Sequence, residues 1–268
     1  MPELPEVETI RRQLAPLLAE RTIVDAAADA NPKFTAAPAA IGGTVTGVDR
    51  RGKYLLVGLD HADGPRELVV HLGMTGQLGA DIDPGGPHVR AWWGFADGGT
   101  LGYRDVRQFG RIAVVPAGRY ETLGTLGRIG PEPLSDSFTP AGLWEGLHRR
   151  RARVKTVLLG QQVVAGVGNI YADEALWRAG IHPAARRVGR ERAAALHAAI
   201  RAVLAEGIEH GGTTLRDYRT VTGEAGRNQT RLDCYGRAGE PCRRCGTTLR
   251  HAVFDGRGTT WCPACQPR

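Results

Sequence analysis

The first six residues bring together groups that could carry out nucleophilic and acid–base chemistry. The chain begins "MPELPE", with Pro2 and Glu3 in succession and Glu6 three residues later. If Met1 is removed, Pro2 has a free secondary amine, and the reference pKa of roughly 7.7 to 8 for an α-amino group leaves part of it unprotonated near neutrality and able to attack an electrophilic carbon. The same residues also suit a first helical turn, where proline and carboxylates are favoured. The terminus is therefore either a nucleophile beside two carboxylates or a well-started helix.

Four cysteines near the other end have the spacing of a zinc site. "CRRC" contains Cys242 and Cys245, "CPAC" contains Cys262 and Cys265, and 16 residues separate the two pairs. Two such knuckles typically fold a hairpin around a tetrahedral zinc ion, which then supplies the folding free energy that so small a hairpin lacks. Two disulfides are a weaker alternative in a chain without an export signal. The fifth cysteine, Cys234, fits a small buried apolar residue better than a further ligand or a redox thiol.

Positive charge is concentrated in the second half of the chain. Residues 1–148 hold 14 Lys+Arg against 18 Asp+Glu, whereas residues 149–268 hold 21 against 10, within a net charge of +7. This asymmetry is typical of a protein that binds a polyanion, although a solvated arginine-rich helix face would give the same count. Lys33, Lys53 and Lys155 are the only lysines. Because an ammonium is smaller than a guanidinium and can lose its proton, we expect each lysine to mark a position that uses those properties.

Short β-strands are predicted after an N-terminal helix. Apolar residues at helical spacing indicate the helix: Val7, Ile10, Leu14 and Leu17. Several β-rich segments separated by turn residues follow, as far as "FGRIAVVPA", a pattern typical of a sandwich or barrel. The glycine-rich stretch 81–88 is predicted as a loop and "DGG" at 97–99 as a hairpin turn.

The rest of the chain is predicted to be helical apart from the cysteine hairpin. Helical periodicity begins at Thr139 and includes a helix near 190–209, which places the domain boundary at 126–138. At 268 residues, 42% of them hydrophobic and 24% charged, the chain suits two globular domains. No segment approaches the roughly 18 apolar residues of a membrane span and no signal peptide is evident, so we expect a cytosolic protein without membrane contact.

A set of motifs runs along the whole chain in a fixed order. They are "MPELPEVET", "RRGKYLL", "HLGMTGQL", "GPEPLSD", "GVGNIYADEALWRAGIHP", "GGTTLRDY", "YGRAGEPCRRCG" and "FDGRGTTWC". Together they resemble the motifs of formamidopyrimidine-DNA glycosylase, a family of DNA-repair enzymes. The resemblance implies an α+β fold of two domains, with an N-terminal β-sandwich flanked by helices and a C-terminal helical domain bearing a helix-two-turn-helix and a zinc-finger β-hairpin. The expected boundaries are 1–130 for the sandwich, 131–230 for the helical region and 231–268 for the zinc finger.

The same resemblance implies the reaction. Enzymes of this type excise oxidised purines, namely 8-oxoguanine opposite cytosine and formamidopyrimidines, and then cleave the strand by β,δ-elimination at the abasic site. The resemblance implies that Pro2 attacks C1′ of the damaged nucleotide to form a Schiff base, while Glu3 handles protons at the opened sugar and Glu6 supports it. It implies a role for Lys53 in protonation and phosphate contact during β-elimination, and for Arg257 in δ-elimination. From its residue type alone, Lys53 would be interpreted as an exposed strand cation.

The resemblance also implies a set of DNA contacts. Asn169 is expected to bind a phosphate at the helix-two-turn-helix, His88 and Arg150 to contact DNA, and Lys155 to lie near the damaged base. Three space-filling residues are expected to enter the duplex where the damaged base leaves it: Met74, Arg107 and Phe109. The expected partner is double-stranded DNA that contains oxidised bases or abasic sites. We expect one zinc ion per chain and a monomer that works in the cytoplasm at the nucleoid.

Two departures from the family pattern limit what the resemblance implies. "DVRQFG" replaces the usual "DPRRFG", so Arg107 and Phe109 remain but the loss of proline lowers the expected rigidity of the loop. Residues 219–231, which match the loop that covers the everted base, are also atypical, so lesion preference is less constrained than the reaction. Two alternatives remain. An endonuclease VIII-type glycosylase for oxidised pyrimidines is disfavoured by "ELPEVET", and a non-catalytic zinc-finger DNA-binding protein is disfavoured by the Pro2–Glu3 start and by Lys53.

Overall fold

Five α-helices and ten β-strands make up the part of the chain that the structure, a computed structural model, describes, namely residues 1–80 and 82–268. The helices are α1 (Leu4–Leu18), α2 (Pro140–His148), α3 (Val154–Leu159), α4 (Asn169–Arg178) and α5 (Arg190–Glu209). The strands are β1 (Ile23–Ala28), β2 (Thr44–Arg51), β3 (Tyr54–Asp60), β4 (Arg66–His71), β5 (Gln77–Gly79), β6 (Val89–Phe95), β7 (Thr100–Arg104), β8 (Arg111–Pro116), β9 (Arg250–Phe254) and β10 (Arg257–Trp261). Short 3-10 helices span Ala37–Ala40, Leu126–Arg128 and Asn228–Arg231. The loop predicted at 81–88 includes Asp81, which lies outside the described residues.

The chain divides into two compact units, each of which consists of two separate stretches of sequence. The first unit comprises residues 1–127 and 210–227, and the second comprises residues 128–209 and 228–268. The predicted boundaries assign 210–227 to the helical region, whereas the structure groups this segment with the first unit. The physical reason is a set of hydrogen bonds to α1, among them the bond from the Val221 N–H to Gln13 Oε1 at 2.9 Å. Periodicity within the segment carries no signal of such a long-range pairing.

Two four-stranded antiparallel sheets build the first unit and confirm the predicted sandwich. One has the strand order β1-β6-β7-β5 and the other β2-β3-β4-β8. Both contribute to a single buried core, which includes Trp93 and Tyr103 from the first sheet and Leu55 and Val70 from the second. Burying an aliphatic side chain such as Leu55 or Val70 contributes about 1.5–3 kcal/mol to folding. The predicted turn at 97–99 joins β6 to β7.

Helix α1 packs its apolar face into the same core. Val7, Ile10 and Leu14 are buried there, as their spacing predicts. Leu17 is 43% exposed, and the buried residue of the last turn is Leu18. The helix therefore begins where expected and buries the expected face, except that Leu18 replaces Leu17 as the buried residue of the last turn.

The second unit is helical with a β-hairpin. Thr139 caps α2 through its Oγ1, which accepts the Gly142 N–H at 3.0 Å, and the helix expected near 190–209 is α5. Between α3 and α4 the chain bends at residues 161–166, where the Oε1 of the Gln161 side chain accepts the Gly166 N–H at 2.8 Å. Strands β9 and β10 form the hairpin. Of the helices in the described part of the chain, none is long and apolar enough to cross a bilayer.

Candidate active site, DNA-contact residues and metal centre

Glu3 and Glu6 hold each other at the start of α1. The two residues form a capping box, in which the Glu3 N–H donates to Glu6 Oε2 at 2.7 Å. Both side chains are buried, as is Pro2, whereas Met1 is 48% exposed. Removal of Met1 would therefore free the Pro2 nitrogen beside two buried carboxylates.

The second carboxylate oxygen of Glu6 binds the segment 210–227. The Thr213 N–H donates to Glu6 Oε1 at 2.6 Å. Gly212 precedes it with a φ of +84°, and a Cβ at Gly212 would lie 2.9 Å from Glu6 Cγ, so a larger residue would displace the contact. Both oxygens of Glu6 thus hold main-chain N–H groups, which suits a supporting carboxylate better than a proton carrier.

Lys53 lies in the two-residue turn between β2 and β3 and is only 6% exposed, so it is not an exposed strand cation. Arg50 ties this turn to α1. Its Nε donates to Glu8 Oε2 at 3.1 Å and its Nη1 donates to the Gly52 carbonyl at 3.0 Å. Burial raises the pKa of the Glu8 carboxyl, but hydrogen bonds from three arginines outweigh burial and hold that pKa below its ordinary value. Hydrogen bonds of the Arg50 guanidinium to Glu8 and to Gly52 therefore connect α1 with the turn that carries Lys53.

A neutral imidazole lies close to Lys53. His71 ends β4 opposite Tyr54, and the two ring centroids are 4.7 Å apart. Burial lowers the pKa of His71 to about 4, and the positive charges of Lys53 and Arg111 add to the effect. Its Nδ1 accepts the Gly73 N–H at 3.3 Å. His71 is therefore an uncharged acceptor at neutral pH, and it does not compete with Lys53 for anions.

Two glycines bring Met74 next to the segment that contains Arg107 and Phe109. A Cβ at Gly73, which has a φ of +66°, would lie 2.4 Å from the Gly110 nitrogen, so only glycine allows the two chain segments to approach this closely. Phe109 is 48% exposed, and the Arg107 guanidinium carbon lies 4.6 Å from the centroid of its ring. The three residues expected to enter the duplex are thus on neighbouring segments, with a stacked arginine–phenylalanine pair.

Asp105 closes the loop formed by residues 105–110, which we call the gap-filling loop. Its Oδ2 accepts the Gly110 N–H at 2.8 Å across the loop, and its Oδ1 accepts the Thr75 hydroxyl at 2.5 Å. Thr75 Oγ1 in turn accepts the Arg107 N–H at 3.0 Å. Hydrogen bonds to a buried carboxylate therefore hold the loop in a chain that has Val106 where the family pattern has proline.

His88 lies at the base of the same loop. Its φ is +65°, and its carbonyl oxygen accepts the Asp105 N–H at 2.9 Å. The residue is exposed. Its position links the glycine-rich loop before β6 to the gap-filling loop.

A cleft of about 150 Å³ in the first unit is lined by residues 77–79, 82 and 219–223. Gln77 borders it, with Nε2 donating to the Asp217 carbonyl at 2.6 Å. On the opposite wall, the hydroxyls of Thr220 and Thr222 are 3.1 Å apart. The cleft thus offers amide and hydroxyl groups that can hydrogen-bond a polar heterocycle.

Arg257 is exposed at the tip of the hairpin. It follows the turn at Asp255 and Gly256, which have φ values of +48° and +76°. The Asp255 carboxylate accepts the Thr156 hydroxyl and pairs with Arg153. The start of α3 therefore fixes the turn that presents Arg257.

Lys155 and Asn169 converge on Gly258, the residue that follows Arg257. Lys155 Nζ and Asn169 Nδ2 donate to the Gly258 carbonyl at 3.0 and 3.1 Å. Lys155 Nζ also lies 2.7 Å from Asp173 Oδ1, and both side chains are almost completely buried. Burial raises the pKa of Asp173 to about 7, although the Lys155 ammonium opposes the rise. The ammonium of Lys155 thus lies inside the second unit, bonded to the hairpin.

Arg150 lies just after α2, at the edge of an arginine-lined cleft. Its Nη1 donates to the Gly146 carbonyl at 2.8 Å and its Nη2 to Gln162 Oε1 at 2.9 Å. Across the cleft, the Arg190 guanidinium carbon lies 4.3 Å from the Trp144 ring centroid. The predicted contact residue is therefore fixed in a strongly basic surface.

The four predicted metal ligands come together. Their Sγ atoms lie within 4.8 Å of one another, with Cys242 and Cys265 4.0 Å apart and Cys245 and Cys262 3.5 Å apart. Tetrahedral zinc with Zn–S bonds of about 2.3 Å places its sulfur atoms about 3.8 Å from one another. The cluster therefore fits one structural zinc ion, which stabilises the hairpin when bound.

Neighbouring groups complete the metal centre. Trp177 Nε1 donates to Cys242 Sγ at 3.3 Å, and the Cys265 N–H donates to Cys262 Sγ at 3.3 Å. Such N–H donors orient thiolate ligands. Cys234 lies outside the four-sulfur group and is fully buried, with Sγ donating to the Thr260 carbonyl at 3.1 Å. Burial raises the pKa of this thiol, in keeping with the small apolar residue that was predicted.

Three family models match the chain. The formamidopyrimidine-DNA glycosylase N-terminal domain matches residues 1–112, and the formamidopyrimidine-DNA glycosylase H2TH domain matches residues 129–219. A zinc finger found in FPG and IleRS matches residues 239–268. The chain belongs to the formamidopyrimidine-DNA glycosylase family.

Relatives of the same family match over their full length. The formamidopyrimidine-DNA glycosylase of Deinococcus radiodurans is 46% identical and covers 100% of this chain and 98% of the relative. The crystal structure of MutM (Fpg) from Thermus thermophilus superposes with a TM-score of 0.92 at 45% identity, covering 99% of this chain and 98% of that one. A complex of Lactococcus lactis Fpg with DNA containing an abasic site gives a TM-score of 0.87 at 34% identity, covering 99% and 100%.

Sequence reasoning missed several residues that hold predicted functional residues in place within the two units of this formamidopyrimidine-DNA glycosylase fold. Three of them contact residues that are distant in sequence: Asp105 bonds to Thr75, Asp173 to Lys155 and Gln77 to Asp217. His71 stood in the motif "HLGMTGQL", but a histidine at the end of a strand has no particular role until its surroundings are known. The one available signal was an aspartate directly before the gap-filling residues in "DVRQFG".

Proposed function

We propose that this member of the formamidopyrimidine-DNA glycosylase family removes oxidised purines, 8-oxoguanine opposite cytosine and formamidopyrimidines, from double-stranded DNA and then cleaves the strand at the abasic site. The observation that carries the proposal is the start of α1, where a buried Pro2 follows an exposed Met1 and directly precedes Glu3, which is buried and bonded to the buried Glu6. Relatives of known structure support the substrate class, because a G226P mutant of Lactococcus lactis Fpg forms a complex with DNA that contains Fapy-dG, and Lactococcus lactis Fpg forms one with DNA that contains an abasic site.

The first step is an attack by the Pro2 nitrogen on C1′ of the damaged nucleotide. The base leaves with the electrons of the glycosidic bond, and the nitrogen, now bonded to C1′, loses its proton. The C1′–O4′ bond then breaks with protonation of O4′, which opens the sugar ring, and the nitrogen lone pair forms the C=N bond of an iminium ion. A secondary amine suits this step, because it is a good nucleophile when unprotonated and its iminium ion carries a fixed positive charge. Glu3 is next to the nucleophile in sequence and is the carboxyl group that we assign to proton transfer at the opened sugar. Glu6 holds the Glu3 backbone and the Thr213 N–H in place.

Two eliminations then break the strand. Loss of a C2′ proton from the iminium ion expels the 3′ phosphate, and a further elimination expels the 5′ phosphate. We assign Lys53 to the first elimination, because a buried ammonium stabilises a leaving phosphate more strongly than an exposed one does. We assign Arg257 to the second, since an exposed arginine at a hairpin tip can form bidentate bonds with a phosphate.

DNA binding combines base extrusion with phosphate contacts. Met74, Arg107 and Phe109 fill the space that the extruded nucleotide leaves, and wedging side chains of this kind are known to open base steps. The cleft beside Gln77 receives the extruded base. Asn169 binds a backbone phosphate, and His88 and Arg150 also contact the DNA. The protein acts as a monomer on cytoplasmic DNA. Sedimentation of the free protein and of its complex with a single-lesion duplex would reveal a dimer and so contradict the monomer.

Borohydride trapping on a duplex with one 8-oxoguanine opposite cytosine tests the reaction. The expected product is a covalent adduct whose mass maps to the N-terminal peptide, together with strand cleavage in unreduced samples. A variant that retains Met1 should give neither, whereas the same duplex without a lesion serves as the substrate control. An adduct on the Lys53 or Lys155 peptide would contradict the role of Pro2, and absence of both excision and trapping would contradict the proposed function.

A further inference from the structure

The gap-filling loop rests on a second segment of the first unit, residues 29–33. Asn31 Nδ2 donates to Gln108 Oε1 at 2.7 Å, and Lys33 Nζ donates to the Gln108 carbonyl at 2.8 Å. Beyond the loop, the Ile112 N–H donates to the Lys33 carbonyl at 2.8 Å. Side-chain and main-chain groups of one short segment thus hold Gln108 and the residues that follow it.

This segment is itself ordered by internal hydrogen bonds. Asp29 Oδ1 accepts the Asn31 N–H at 2.9 Å, and Asn31 Oδ1 accepts the Lys33 N–H at 3.1 Å. Because the oxygen of the Asn31 amide already accepts a backbone N–H, its nitrogen is the atom that faces Gln108. Arg90 bonds both Asp29 Oδ2, at 2.8 Å, and the Asp105 carbonyl, at 2.9 Å. The segment therefore also holds the first residue of the loop.

Gln108 is the residue of the loop that requires an anchor. Its φ is +55°, in the left-handed region that residues other than glycine rarely adopt unless their surroundings impose it. The residues on either side, Arg107 and Phe109, are exposed, whereas Gln108 is half-buried. The orientation of both exposed side chains thus depends on how Gln108 is held.

The positive charge on Lys33 also acts on the Phe109 side chain. Its ammonium lies 5.9 Å from the centroid of the Phe109 ring, on which the Arg107 guanidinium also stacks. A cation near the ring face stabilises one ring orientation. Lys33 is one of only three lysines in the chain, and its compact ammonium reaches a carbonyl and an aromatic ring at once.

We propose that Asn31 and Lys33 are positioning residues that set how Arg107 and Phe109 are presented to the DNA. They act through Gln108, the position at which this chain has glutamine in place of the arginine of the family pattern. The inference rests on the proposed function, in which Arg107 and Phe109 enter the duplex. Asn31 and Lys33 touch neither the reacting atoms nor the extruded base, so they affect base extrusion and reading of the opposite base rather than the elimination chemistry.

Single-turnover excision by the full-length protein tests this inference. Asn31→Ala and Lys33→Met should each lower the rate for 8-oxoguanine opposite cytosine on the order of tenfold, less than the roughly 100-fold that a misplacement of about 1 Å can cost, because each variant removes only one of the two bonds to Gln108. The rate for 8-oxoguanine opposite adenine should fall less, so that the ratio of the cytosine rate to the adenine rate decreases. Cleavage of a preformed abasic site, which needs no base extrusion, should change less than threefold. Arg119→Met removes an exposed positive charge from the same unit and should change none of these rates.

Two further variants separate anchoring from stability. Gln108→Gly removes the side-chain anchor but relieves the left-handed backbone, so it should narrow the ratio without lowering the unfolding midpoint. Asn31→Ala combined with Gln108→Ala should narrow the ratio no further than either change alone, because both remove the same bond.

These measurements distinguish failure of the positioning inference from failure of the proposed function. If Arg107→Ala narrows the ratio while Asn31→Ala, Lys33→Met and Gln108→Gly leave it at the wild-type value, Asn31 and Lys33 have no positioning role and the proposed function stands. If the wild type excises no base, the proposed function itself is wrong. If the wild type is active but Arg107→Ala and Phe109→Ala leave both rates unchanged, these two residues do not act in excision and the positioning inference is wrong, while the proposed reaction stands.

Discussion

The ammonium of Lys155 lies 2.7 Å from the carboxylate of Asp173 inside the second unit, with side-chain exposures of 2% and 0%. Asp173 Oδ2 also accepts the Thr260 N–H at 3.0 Å, while Lys155 donates to the Gly258 carbonyl. The pair thus connects α3, α4 and β10, the strand that begins with Arg257. Because these two buried side chains bond to each other and to the backbone of the hairpin, the position of Arg257 depends on both of them.

Breaking this pair should destabilise the protein strongly. Lys155→Met leaves the buried Asp173 carboxyl without its counter-ion, so the group must stay charged in the interior or take up a proton. Breaking a buried pair in this way costs about 3–5 kcal/mol, whereas Lys155→Met combined with Asp173→Leu removes both groups and should recover a large part of that loss. Urea unfolding of the single and double variants measures the difference. Equal or additive losses would mean that the two groups do not compensate each other.

Lys155 illustrates what the sequence could and could not predict. The four cysteines, the terminal glutamates and the strand segments have local signals, namely fixed spacing, helix-start chemistry and alternation, and the structure agrees with each. The resemblance implied that Lys155 lies near the damaged base. Its bonds to Gly258 and Asp173 depend on residues 18 or more positions away, which no local pattern encodes.

The hairpin fold, and the DNA binding proposed for Arg257 at its tip, should both require the four-cysteine cluster. Replacing any one ligand with serine, for example Cys262→Ser, should release the metal and weaken binding to a lesion duplex, because the hairpin has little core of its own. Cys234→Ser is the matched control, since this buried thiol lies outside the cluster. Elemental analysis should give about one zinc per chain in the wild type and in Cys234→Ser. Undiminished zinc in Cys262→Ser would contradict the assignment.

Stability should decrease on acidification because of His71. Its pKa is about 4 in the folded protein against an ordinary value of 6.5, so the unfolded chain takes up a proton that the folded chain excludes. The free energy of unfolding contributed by this difference is fully present above about pH 6.5 and is lost as pH falls towards 4, by up to about 3 kcal/mol. Urea unfolding at several pH values between 4 and 7.5 measures it. In His71→Asn the dependence should be flatter, and an unchanged slope would show that other groups cause it.

Tertiary contacts also explain why the gap-filling loop was only partly predictable. The sequence identified Arg107 and Phe109 by resemblance and associated the missing proline with a looser loop. The structure shows bonds that the motif alone does not reveal, from Asp105 across the loop and from Asn31 to Gln108. Aspartate, asparagine and glutamine are common surface residues, and their pairing becomes visible only once the segments meet.

Arg107 should make excision depend on the base opposite the lesion. Once 8-oxoguanine is extruded, its partner has an unpaired Watson–Crick edge, and Arg107 is the proposed residue that meets it. Cytosine offers two acceptors there, O2 and N3, which suit a guanidinium. Adenine offers N1 but also an N6 amino donor, which a side chain with only donors cannot satisfy. A good bidentate contact discriminates by roughly 1 to 3 kcal/mol, or about 5- to 150-fold.

The wild type should therefore remove 8-oxoguanine opposite cytosine at least several-fold faster than opposite adenine, and Arg107→Ala should slow the first reaction and narrow the gap. Phe109→Ala is the matched comparison, because the ring fills space without reading a base edge and its loss should slow both reactions alike. Single-turnover rates on two duplexes that differ only in the opposite base decide between them. Equal wild-type rates, or a gap that Arg107→Ala leaves intact, would remove Arg107 from this role, since hydrogen-bond complementarity to cytosine is the reason for expecting the preference.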